Sequence, residues 1–466
     1  MVELPGPSSG TQEAVSPESE ASSVGWRERL KSRAIRGSAW TVVGFGTNQV
    51  LRLCSNVILT RLLTPDDFGM MAIVSIFMQG LQMFSDVGIG PSIVQNERGD
   101  DPAFLNTAWT IQVVRGVVLW GVMLAIAWPI AVVYQKPQLF SLLIVVGSTS
   151  MIGGLTSTAM FSLERHVKIG PRVAFDVSSQ VIALAFMITV AWITHSVWAL
   201  ALGAVLWALV RLVLSHTLIP GTRPRLGWDK TAARSLYHFG RWIFLSTVCT
   251  FLAMYGDQLF VPFVAGFGGL GVYHMAVTFS RAIQKVQNRL SNFVIFPAFS
   301  QIARQDNATL RSVLYKVRLR ADALFLPASG VLLMTGDSII KILLNVRFHE
   351  AGWMLELLII QTSMAYIINP GEAALLARGK PKYRFFHYLS RLVWIAVAIP
   401  FGWHLGELRG LVWAVVLSEI PGLVIIWWGM RRNQLFSLSG ELRGFLLFGC
   451  GIPVGWLLEL LLKALR

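Results

Sequence analysis

The sequence predicts an all-α membrane protein that crosses the bilayer many times, with its helices arranged in two lobes of six. Hydrophobic residues make up 54% of the 466 residues and charged residues only 14%, a composition typical of polytopic membrane proteins. Apolar segments long enough to cross a bilayer as helices recur along the whole chain. Lysine and arginine are concentrated in alternate connecting segments, as the positive-inside rule requires.

The N-terminal residues are predicted to stay on the cytoplasmic side. Residues 1–25 are rich in serine, proline, glycine and glutamate and contain no lysine or arginine. This composition indicates a disordered cytoplasmic tail and not a signal peptide. Residues 26–36 (WRERLKSRAIR) form a basic amphipathic segment, which is predicted to lie on the inner surface of the membrane.

Thirteen hydrophobic segments follow, at 37–62, 67–90, 104–133, 138–161, 171–193, 196–219, 237–262, 268–298, 317–336, 351–377, 384–403, 410–430 and 442–462. The first six are predicted to form an N-terminal lobe (37–219) and the next six a C-terminal lobe (237–430). A cytoplasmic linker (220–236) joins the two lobes. The last segment, 442–462, is predicted to be an additional transmembrane or interfacial helix, so both twelve and thirteen spans remain open.

The distribution of positive charge supports this topology. With the N-terminus inside, the inner segments are 26–36, 91–103, 162–172, 220–241, 300–320, 378–384 and 431–443. These segments contain 26 of the 40 lysines and arginines, whereas the outer segments contain seven. The net charge of +15 is therefore explained by membrane topology, and no nucleic-acid partner is predicted.

The chain also contains an internal repeat. A shift of 202 residues places Phe68–Phe77 on Leu270–Phe279, and Gly69 then falls on Gly271. Six spans separate the two copies, so both halves have the same orientation in the membrane. Parallel repeats of this kind occur in transporters, in which the substrate site lies between the halves near the middle of the membrane.

Three cations lie in the middle of the eighth predicted span. Arg281, Lys285 and Arg289 are spaced four residues apart, so on a helix they lie within an arc of about 80°. Each cation at this depth costs roughly 2.5–3.5 kcal/mol. The three side chains are therefore predicted to face a water-filled cavity, buried acids or an anionic substrate. The equivalent positions of the first half are the uncharged Gln79, Met83 and Val87.

Other charged residues inside the spans are candidates for the same site. Arg52, in the middle of the first span, is predicted to be a cavity ligand, because no acid lies near it in sequence. Asp257 is predicted to be either a counter-ion for the three cations or a cation-coupling residue. Asp86 and Glu372 are further candidates for these two roles. Asp86 also has Arg115 as a candidate partner.

Local sequence context bears on several of these charged positions. Glu372 follows Pro370–Gly371, where a helix break is predicted to line a cavity. Arg211 and Arg391 are interpreted as interface residues, and Glu356 and Glu419 as weaker candidates. The first outer loop contains Asp66 and Asp67. There we expect Thr64 to cap the second helix, Pro65 to occupy its first turn and the two aspartates to meet its positive end.

No enzyme motif is present in the sequence. Nucleotide-binding, zinc-protease and nucleophile-elbow motifs are absent, so no catalytic residue is predicted. The three cysteines lie inside apolar segments without the spacing of a metal site or a disulfide framework, so no metal site is predicted either.

Three stretches resemble a known family. SNVILTRLLTPDDFGMMAIV (Ser55–Val74) and DVGIGPSIVQ (Asp86–Gln95) resemble the first hairpin of the Wzx-type polysaccharide flippases and the segment after it. GDQLFVPFVAGFGGLGVYHMAVTFSRAIQKVQNRLSNFVIFPAFSQIA (Gly256–Ala303) is similar to the seventh and eighth helices of the WzxC-like branch of this family. The resemblance covers roughly residues 30–430. One departure is Val261-Pro262-Phe263, which replaces an Ile-Gly-Arg-like triplet and so removes a cation.

The resemblance implies the fold of the multidrug/oligosaccharidyl-lipid/polysaccharide (MOP) exporters, in which helices 1, 2, 7 and 8 line a central cavity. It implies a flippase that moves undecaprenyl-diphosphate-linked oligosaccharides across the bacterial inner membrane for exopolysaccharide, capsule or O-antigen biosynthesis. Arg281, Lys285 and Arg289 would hold the diphosphate together with Arg52. No cofactor is expected, and a proton or sodium gradient would drive transport, with Asp257 as the candidate carrier.

The expected partners are the lipid-linked oligosaccharide, membrane lipids, and a polymerase or export machinery. Two alternative functions remain open, beside a purely structural role in which Asp257, Glu356, Glu372 and Glu419 neutralise the three cations. A drug/cation antiporter of the same fold would need an acidic, aromatic cavity. A membrane enzyme acting on lipid-linked sugars would need a large outer loop with catalytic acids. The longest outer loop, 337–350, offers only Asp337 and Glu350.

Overall fold

The computed structural model describes residues 40, 43–85, 88–166, 169–217, 225–229, 244–290 and 307–464. All regular secondary structure within these ranges is helical, as the composition predicts. The helices of the first half are α1 (43–62), α2 (Pro65–Phe84), α3 (Ile89–Gln95), α4 (Pro102–Val133), α5 (Gln138–Gly154), α6 (Ala159–Arg165), α7 (Ile169–Thr194) and α8 (Trp198–Thr217).

The helices of the second half are α9 (Phe244–Leu290), α10 (Asn307–Leu343), α11 (Ala351–Ala377), α12 (Lys382–Leu417), α13 (Glu419–Arg432) and α14 (Leu438–Ala464), with a 3₁₀ turn (Val346–Phe348) between α10 and α11. Two of these helices are sharply bent. In α9 the bend is at Gly266, whose φ is 68°, a conformation that glycine adopts without strain. The bend separates a first segment (244–265) from a second segment (267–290). In α12 the bend is at Gly406–Glu407.

The described helices confirm a multi-pass membrane protein. Nine helical stretches among the described residues are long and apolar enough to cross a bilayer. Two of these stretches, Thr247–Ala282 and Lys382–Arg432, contain a bend and so correspond to two predicted spans each. The division into two lobes at the predicted boundaries stays a prediction.

The start of α2 has the predicted cap. The backbone N–H of Asp67 donates to Thr64 Oγ1 at 3.3 Å, and the N–H of Thr64 donates to Asp67 Oδ2 at 2.9 Å. Pro65 is the first residue of the helix. This reciprocal capping box satisfies backbone donors that would otherwise lack partners. Asp67 therefore has a structural role, as expected.

The two halves touch through a reciprocal crossing of α2 and the second segment of α9. A Cβ atom on Gly69 would overlap the carbonyl oxygen of Phe267, and a Cβ atom on Gly271 would overlap the carbonyl oxygen of Pro65. A shift of 202 residues converts each of these contacts into the other. The crossing therefore has the self-complementary character of a twofold interface, and it supports the sequence repeat in three dimensions.

Aromatic contacts reinforce the same end of the bundle, which we call the Thr64 end. The rings of Phe68 and Phe348 meet edge to face with centroids 5.4 Å apart. The hydroxyl of Tyr134, at the end of α4, donates to the carbonyl oxygen of Leu259 at 3.0 Å, and its ring stacks on Phe263 at 4.8 Å. These contacts hold the two halves together at the Thr64 end.

The C-terminal helix α14 runs beside α10. Arg318 Nη1 lies 2.7 Å from Glu441 Oε1 near the start of both helices, and Ser338 Oγ donates to Glu459 Oε1 at 2.8 Å near their ends. The distance along α10 between Arg318 and Ser338 is about 30 Å, which matches the hydrocarbon thickness of a bilayer. This placement favours a spanning helix over an interfacial one. The side of the membrane on which the C-terminus lies stays a prediction.

Part of the predicted linker is attached to α4. The backbone N–H groups of Arg225, Gly227 and Asp229 donate to Asn106 Oδ1, Thr110 Oγ1 and Thr107 Oγ1 at 2.9–3.0 Å. The Asp229 carboxylate also binds Arg98 Nη2 at 2.9 Å. Arg98 is hydrogen-bonded to Asp101 as well, and it lowers the pKa of that exposed carboxyl group.

Candidate functional site

The structure brings three of the four predicted cavity cations together. Arg281 and Lys285 lie one turn apart on α9, and Arg52 on α1 is near enough for its positive charge to act on Lys285 and on His274. The side chains of Arg52 on α1 and Lys285 on α9 are exposed, that is, not covered by other parts of the protein, and the side chain of Arg281 is half-buried. We call these three residues the cation cluster. It combines side chains from both halves of the repeat.

The fourth predicted cation, Arg289, lies on the same helix, which continues to Leu290, but its side chain is outside the described residues. Asp86 is also outside the described residues. Its predicted role, and its pairing with Arg115, stay predictions.

Arg281 is positioned by the bend in α9. Its Nη2 donates to the carbonyl oxygen of Met254 at 2.7 Å, and its guanidinium lies 5.2 Å from the centroid of the Tyr255 ring. Both contacts come from the first segment of α9, which the bend at Gly266 folds back beside the second segment. The cation–π contact and the hydrogen bond hold the planar guanidinium in one orientation.

Arg281 faces a cavity of about 120 Å³ in the second half, which we call the small cavity. Asp257 lines the same cavity and is only 4% exposed. Its Oδ2 accepts a hydrogen bond from the Tyr273 hydroxyl at 2.6 Å, and its Oδ1 has no hydrogen-bond partner among the described residues. Asp257 and Arg281 therefore line the same small cavity, where a counter-ion or a coupling residue would lie. Neither role is tested by this geometry.

A buried chain of charges borders the small cavity. Arg391 Nη1 binds Glu419 Oε1 at 2.6 Å, and His387 lies between Glu419 (Nε2 to Oε2, 3.5 Å) and Glu372 (Nδ1 to Oε2, 3.0 Å). Glu372 Oε1 also binds Arg384 Nε at 3.0 Å. Each carboxylate thus has positive or protonatable groups around it, the arrangement that makes buried charges tolerable.

Two sequence interpretations are wrong in this region. Arg391 is not an interface residue, because its side chain is 13% exposed and is paired with the buried Glu419. The helix does not break at Pro370–Gly371, because α11 continues from Ala351 to Ala377. Neighbouring turns and helices support a proline inside such a helix. Glu372 is consequently held by ion pairs and does not line the small cavity.

A second cavity lies in the first half, among α2 to α8, with a volume of about 740 Å³. We call it the large cavity. Its polar lining residues are six amides and guanidiniums (Gln79, Gln82, Gln112, Arg115, Arg172 and Arg211) and five hydroxyl residues (Ser75, Thr149, Ser150, Thr156 and Ser157). Arg211 was predicted to be an interface residue, but its side chain is 18% exposed and binds Asp176. Its ion pair could not be seen in sequence because the two residues are on different helices, α7 and α8.

The repeat relates the two cavities. The large cavity is lined by Ser75, Met78, Gln79 and Gln82, and the small cavity by Val277, Ser280, Arg281 and Gln284. Each member of the second set is 202 residues after its counterpart. The repeat aligns Gln79 with Arg281, which was a predicted cavity residue. This alignment could therefore have indicated from sequence that Gln79 also lines a cavity, the large one.

The arrangement of helices matches a fold that is known from solved structures. The structure is similar to the lipid II flippase MurJ in its inward closed conformation, with a TM-score of 0.64, 13% identity and coverage of 92% of this chain and 98% of that one. It is also similar to an inward-facing multidrug resistance MATE family transporter, with a TM-score of 0.63, 13% identity and coverage of 83% and 94%. The fold is thus that of the MOP superfamily, as the resemblance implied.

The chain belongs to the polysaccharide biosynthesis protein family, whose model matches residues 58–352. It is 22% identical to the lipopolysaccharide biosynthesis protein WzxC of Escherichia coli K12, over 88% of this chain and 83% of WzxC. It is 18% identical to the teichuronic acid biosynthesis protein TuaB of Bacillus subtilis 168, over 88% and 85%. It is 20% identical to the succinoglycan biosynthesis transport protein ExoT of Rhizobium meliloti 1021, over 87% and 82%. These matches confirm the predicted family.

Proposed function

We propose that this protein is a flippase that carries undecaprenyl-diphosphate-linked oligosaccharides across the bacterial inner membrane for polysaccharide biosynthesis. The observation that carries the proposal is the cation cluster of Arg52, Arg281 and Lys285, because its side chains come from both halves of a MOP fold. A diphosphate has the charge and the acceptor oxygens that two guanidiniums and an ammonium bind well.

The contacts at the Thr64 end suggest how the cargo enters. The glycine crossing and the Tyr134 contacts close the bundle at that end. Under the charge-based topology the Thr64 end is the outer end, and the N-terminus is cytoplasmic. The cargo would then enter from the cytoplasmic side, and a rocking motion of the halves about the crossing would open the outer end.

Coupling to an ion gradient is part of the proposal. Asp257 is buried beside Arg281, and one of its carboxylate oxygens makes no hydrogen bond to the described residues. A proton or a sodium ion at this carboxylate would change its interaction with Arg281. No cofactor is required, and a polymerase or export machinery would receive the translocated cargo.

The two alternatives have less support. A drug/cation antiporter would need a net acidic cavity, but the two carboxylates that line the small cavity, Asp257 and Glu419, share it with two guanidiniums, Arg281 and Arg391. An enzyme would need free acids in the predicted outer loop 337–350, whose first seven residues are the helical end of α10. Asp337 is paired with Lys341, and Glu350 accepts a hydrogen bond from Trp353. We therefore propose a transporter without enzymatic activity.

The test is complementation of a flippase-deficient strain by the wild type and by Arg281→Ala, Lys285→Ala and Arg52→Ala. Loss of one charge-assisted hydrogen bond costs about 1.5–3 kcal/mol, so each variant should export at least roughly tenfold less polymer. Lipid-linked oligosaccharide should accumulate inside the cell. Polymer in the medium and extracted lipid-linked sugar are measured together with the amount of protein in the membrane.

Two matched variants control for charge and for general damage. Arg281→Lys keeps the charge and should retain part of the export, whereas Lys341→Ala removes a cation that is bound to Asp337 away from both cavities and should export normally. Normal export by all three alanine variants would show that the cation cluster does not hold the cargo.

A further inference from the structure

A pair of aromatic rings lies between two exposed cations where α12 begins and α13 ends. The rings of Tyr383 and Trp428 meet edge to face with centroids 5.8 Å apart. Lys382 Nζ lies 5.4 Å from the centroid of the Tyr383 ring, and the guanidinium carbon of Arg432 lies 5.6 Å from that of Trp428. We call these four residues the aromatic–basic patch. Its contacts tie one cation from each helix to a common pair of rings.

The close approach of α12 and α13 fixes the patch in place. A Cβ atom on Gly429 would lie 2.7 Å from Cδ1 of Tyr383, so a side chain at this position would displace the ring. Tyr383 is buried against α13, whereas the Trp428 side chain is 56% exposed. The two rings therefore form a wall that is anchored in the protein on one side and open on the other.

An exposed stripe leads from the patch along α13. Ile420, Val424, Trp428 and Arg432 follow one another at intervals of four residues, and all four are exposed. At this spacing they lie on one side of the helix. The rise from Ile420 to Arg432 is about 18 Å, which is close to half the hydrocarbon thickness of a bilayer, roughly 15 Å. The stripe thus has the length of one leaflet, with apolar residues along it and a cation at its end.

The cations of this region have no acidic partners in the part of the chain that the structure describes. Arg431 adds a third exposed cation in the last turn of α13. The acids nearest in sequence to the three cations are Glu372, Glu419 and Glu441, and each of these is bound to another arginine. Basic side chains between helices at the cytoplasmic surface of a membrane protein favour anionic lipid headgroups.

The patch is also separate from the sites described above. None of its four residues lines the large or the small cavity, and it shares no residue with the cation cluster. Its two helix ends belong to the predicted inner segments 378–384 and 431–443. The patch therefore lies on the outer surface of the bundle, at the end that the charge distribution places on the cytoplasmic side.

We propose that the aromatic–basic patch, together with Arg431, binds the headgroup of an anionic phospholipid of the phosphatidylglycerol type. The lipid phosphate accepts from the guanidiniums and the ammonium. The Trp428 indole lies at the level of the glycerol, where tryptophan is enriched in membrane proteins, and an acyl chain follows the stripe along α13. The lipid belongs to the inner leaflet, and the proposal goes beyond the transport function because it concerns a resident lipid and not the cargo.

The test is native mass spectrometry of the purified full-length protein in detergent. The protein is titrated separately with palmitoyl-oleoyl phosphatidylglycerol and with palmitoyl-oleoyl phosphatidylcholine, which have the same acyl chains. We expect the first phosphatidylglycerol to bind with a Kd lower by roughly tenfold or more, because it alone has a net negative charge. Lys382→Gln/Arg432→Gln should reduce this difference to about twofold or less.

Two controls separate this binding from total charge and from folding. Arg225→Ala removes an exposed cation of the linker, which is attached to α4 in the first half, and should keep the wild-type difference. In phosphatidylcholine the double variant should melt like the wild type, because both of its substituted side chains are exposed. Phosphatidylglycerol should raise the melting temperature of the wild type and of Arg225→Ala, but not that of the double variant.

Four outcomes would overturn the proposal. They are equal binding of the two lipids by the wild type, an unchanged difference in the double variant, an equal loss in Arg225→Ala, and displacement of phosphatidylglycerol by equimolar inorganic pyrophosphate. The last outcome would assign these cations to the diphosphate of the cargo. Comparison of the two lipids by the wild type is decisive even if the double variant fails to fold. Because the binding test involves neither export nor the cation cluster, its failure would leave the proposed function intact, and normal export by the cluster variants would leave this binding result intact.

Discussion

Alanine at Gly69 or at Gly271 is expected to abolish export and to destabilise the protein. The new Cβ atom would overlap a backbone carbonyl oxygen, that of Phe267 in the first case and that of Pro65 in the second. A flexible side chain could move aside, but a helix backbone cannot move without displacing the whole helix. Overpacking of this kind costs about 1–3 kcal/mol or more, and the Thr64 end would be forced apart.

The measurements are the thermal melting of the purified protein and polymer export in the complemented strain. Gly121→Ala and Gly449→Ala are matched controls, since a Cβ atom at either position meets nothing within 4 Å. Both controls should melt at or above the wild-type temperature, because alanine is favoured over glycine in a helix by roughly 0.5–1 kcal/mol. If Gly69→Ala and Gly271→Ala behaved like these controls, α2 and α9 would not approach as closely as described.

The second large effect is expected from Glu441→Ala. Arg318 and Glu441 are 2% and 1% exposed and bind each other at 2.7 Å. The same carboxylate accepts hydrogen bonds from the Tyr315 hydroxyl at 2.8 Å and from Trp427 Nε1 at 3.1 Å. Removing Glu441 leaves Arg318 paired with Asp322 alone, at 2.9 Å. It also leaves three donors, Arg318 Nη1, the Tyr315 hydroxyl and Trp427 Nε1, without the carboxylate that accepts from them. Each buried donor that loses its acceptor costs about 1–3 kcal/mol, so the loss of all three is strongly destabilising.

We expect Glu441→Ala to reduce the amount of folded protein in the membrane and to lower its melting temperature strongly. The control is Asp101→Asn, which weakens an exposed ion pair with Arg98 but keeps a side chain that can cap α4. Exposed pairs contribute at most about 1 kcal/mol, so this control should melt close to the wild type. An unchanged melting temperature for Glu441→Ala would mean that α14 contributes little to the fold.

The helices and the family could be predicted from sequence because both depend on short, continuous stretches of the chain. A long apolar segment specifies a spanning helix by its own length, and Thr64 with Asp67 specifies the start of α2 within four residues. The repeat also related residues that are far apart in sequence. It matched Gly69 to Gly271 and Gln79 to Arg281, and the structure places each pair at equivalent positions.

The buried ion pairs could not be predicted, because their partners are far apart in sequence. Arg318 and Glu441 are separated by 123 residues, and Arg318 lies in an inner segment (300–320) among other cations. Arg391 and Glu419 likewise meet only after α12 bends at Gly406–Glu407. A charged residue in an apolar segment indicates that a partner is needed. Which residue becomes that partner depends on how the helices pack, and this cannot be read from the local sequence.

The reciprocal crossing of Gly69 and Gly271 constrains how the two halves of this chain can diverge after a duplication. Each glycine makes room for the backbone of the opposite copy, so a larger residue in one copy cannot be compensated by a smaller one in the other, which is already glycine. Positions that line the cavities have no such mutual restriction, and Gln79 and Arg281 have become chemically different. The duplicated halves are thus free to specialise in what they bind while remaining alike at the point where they touch.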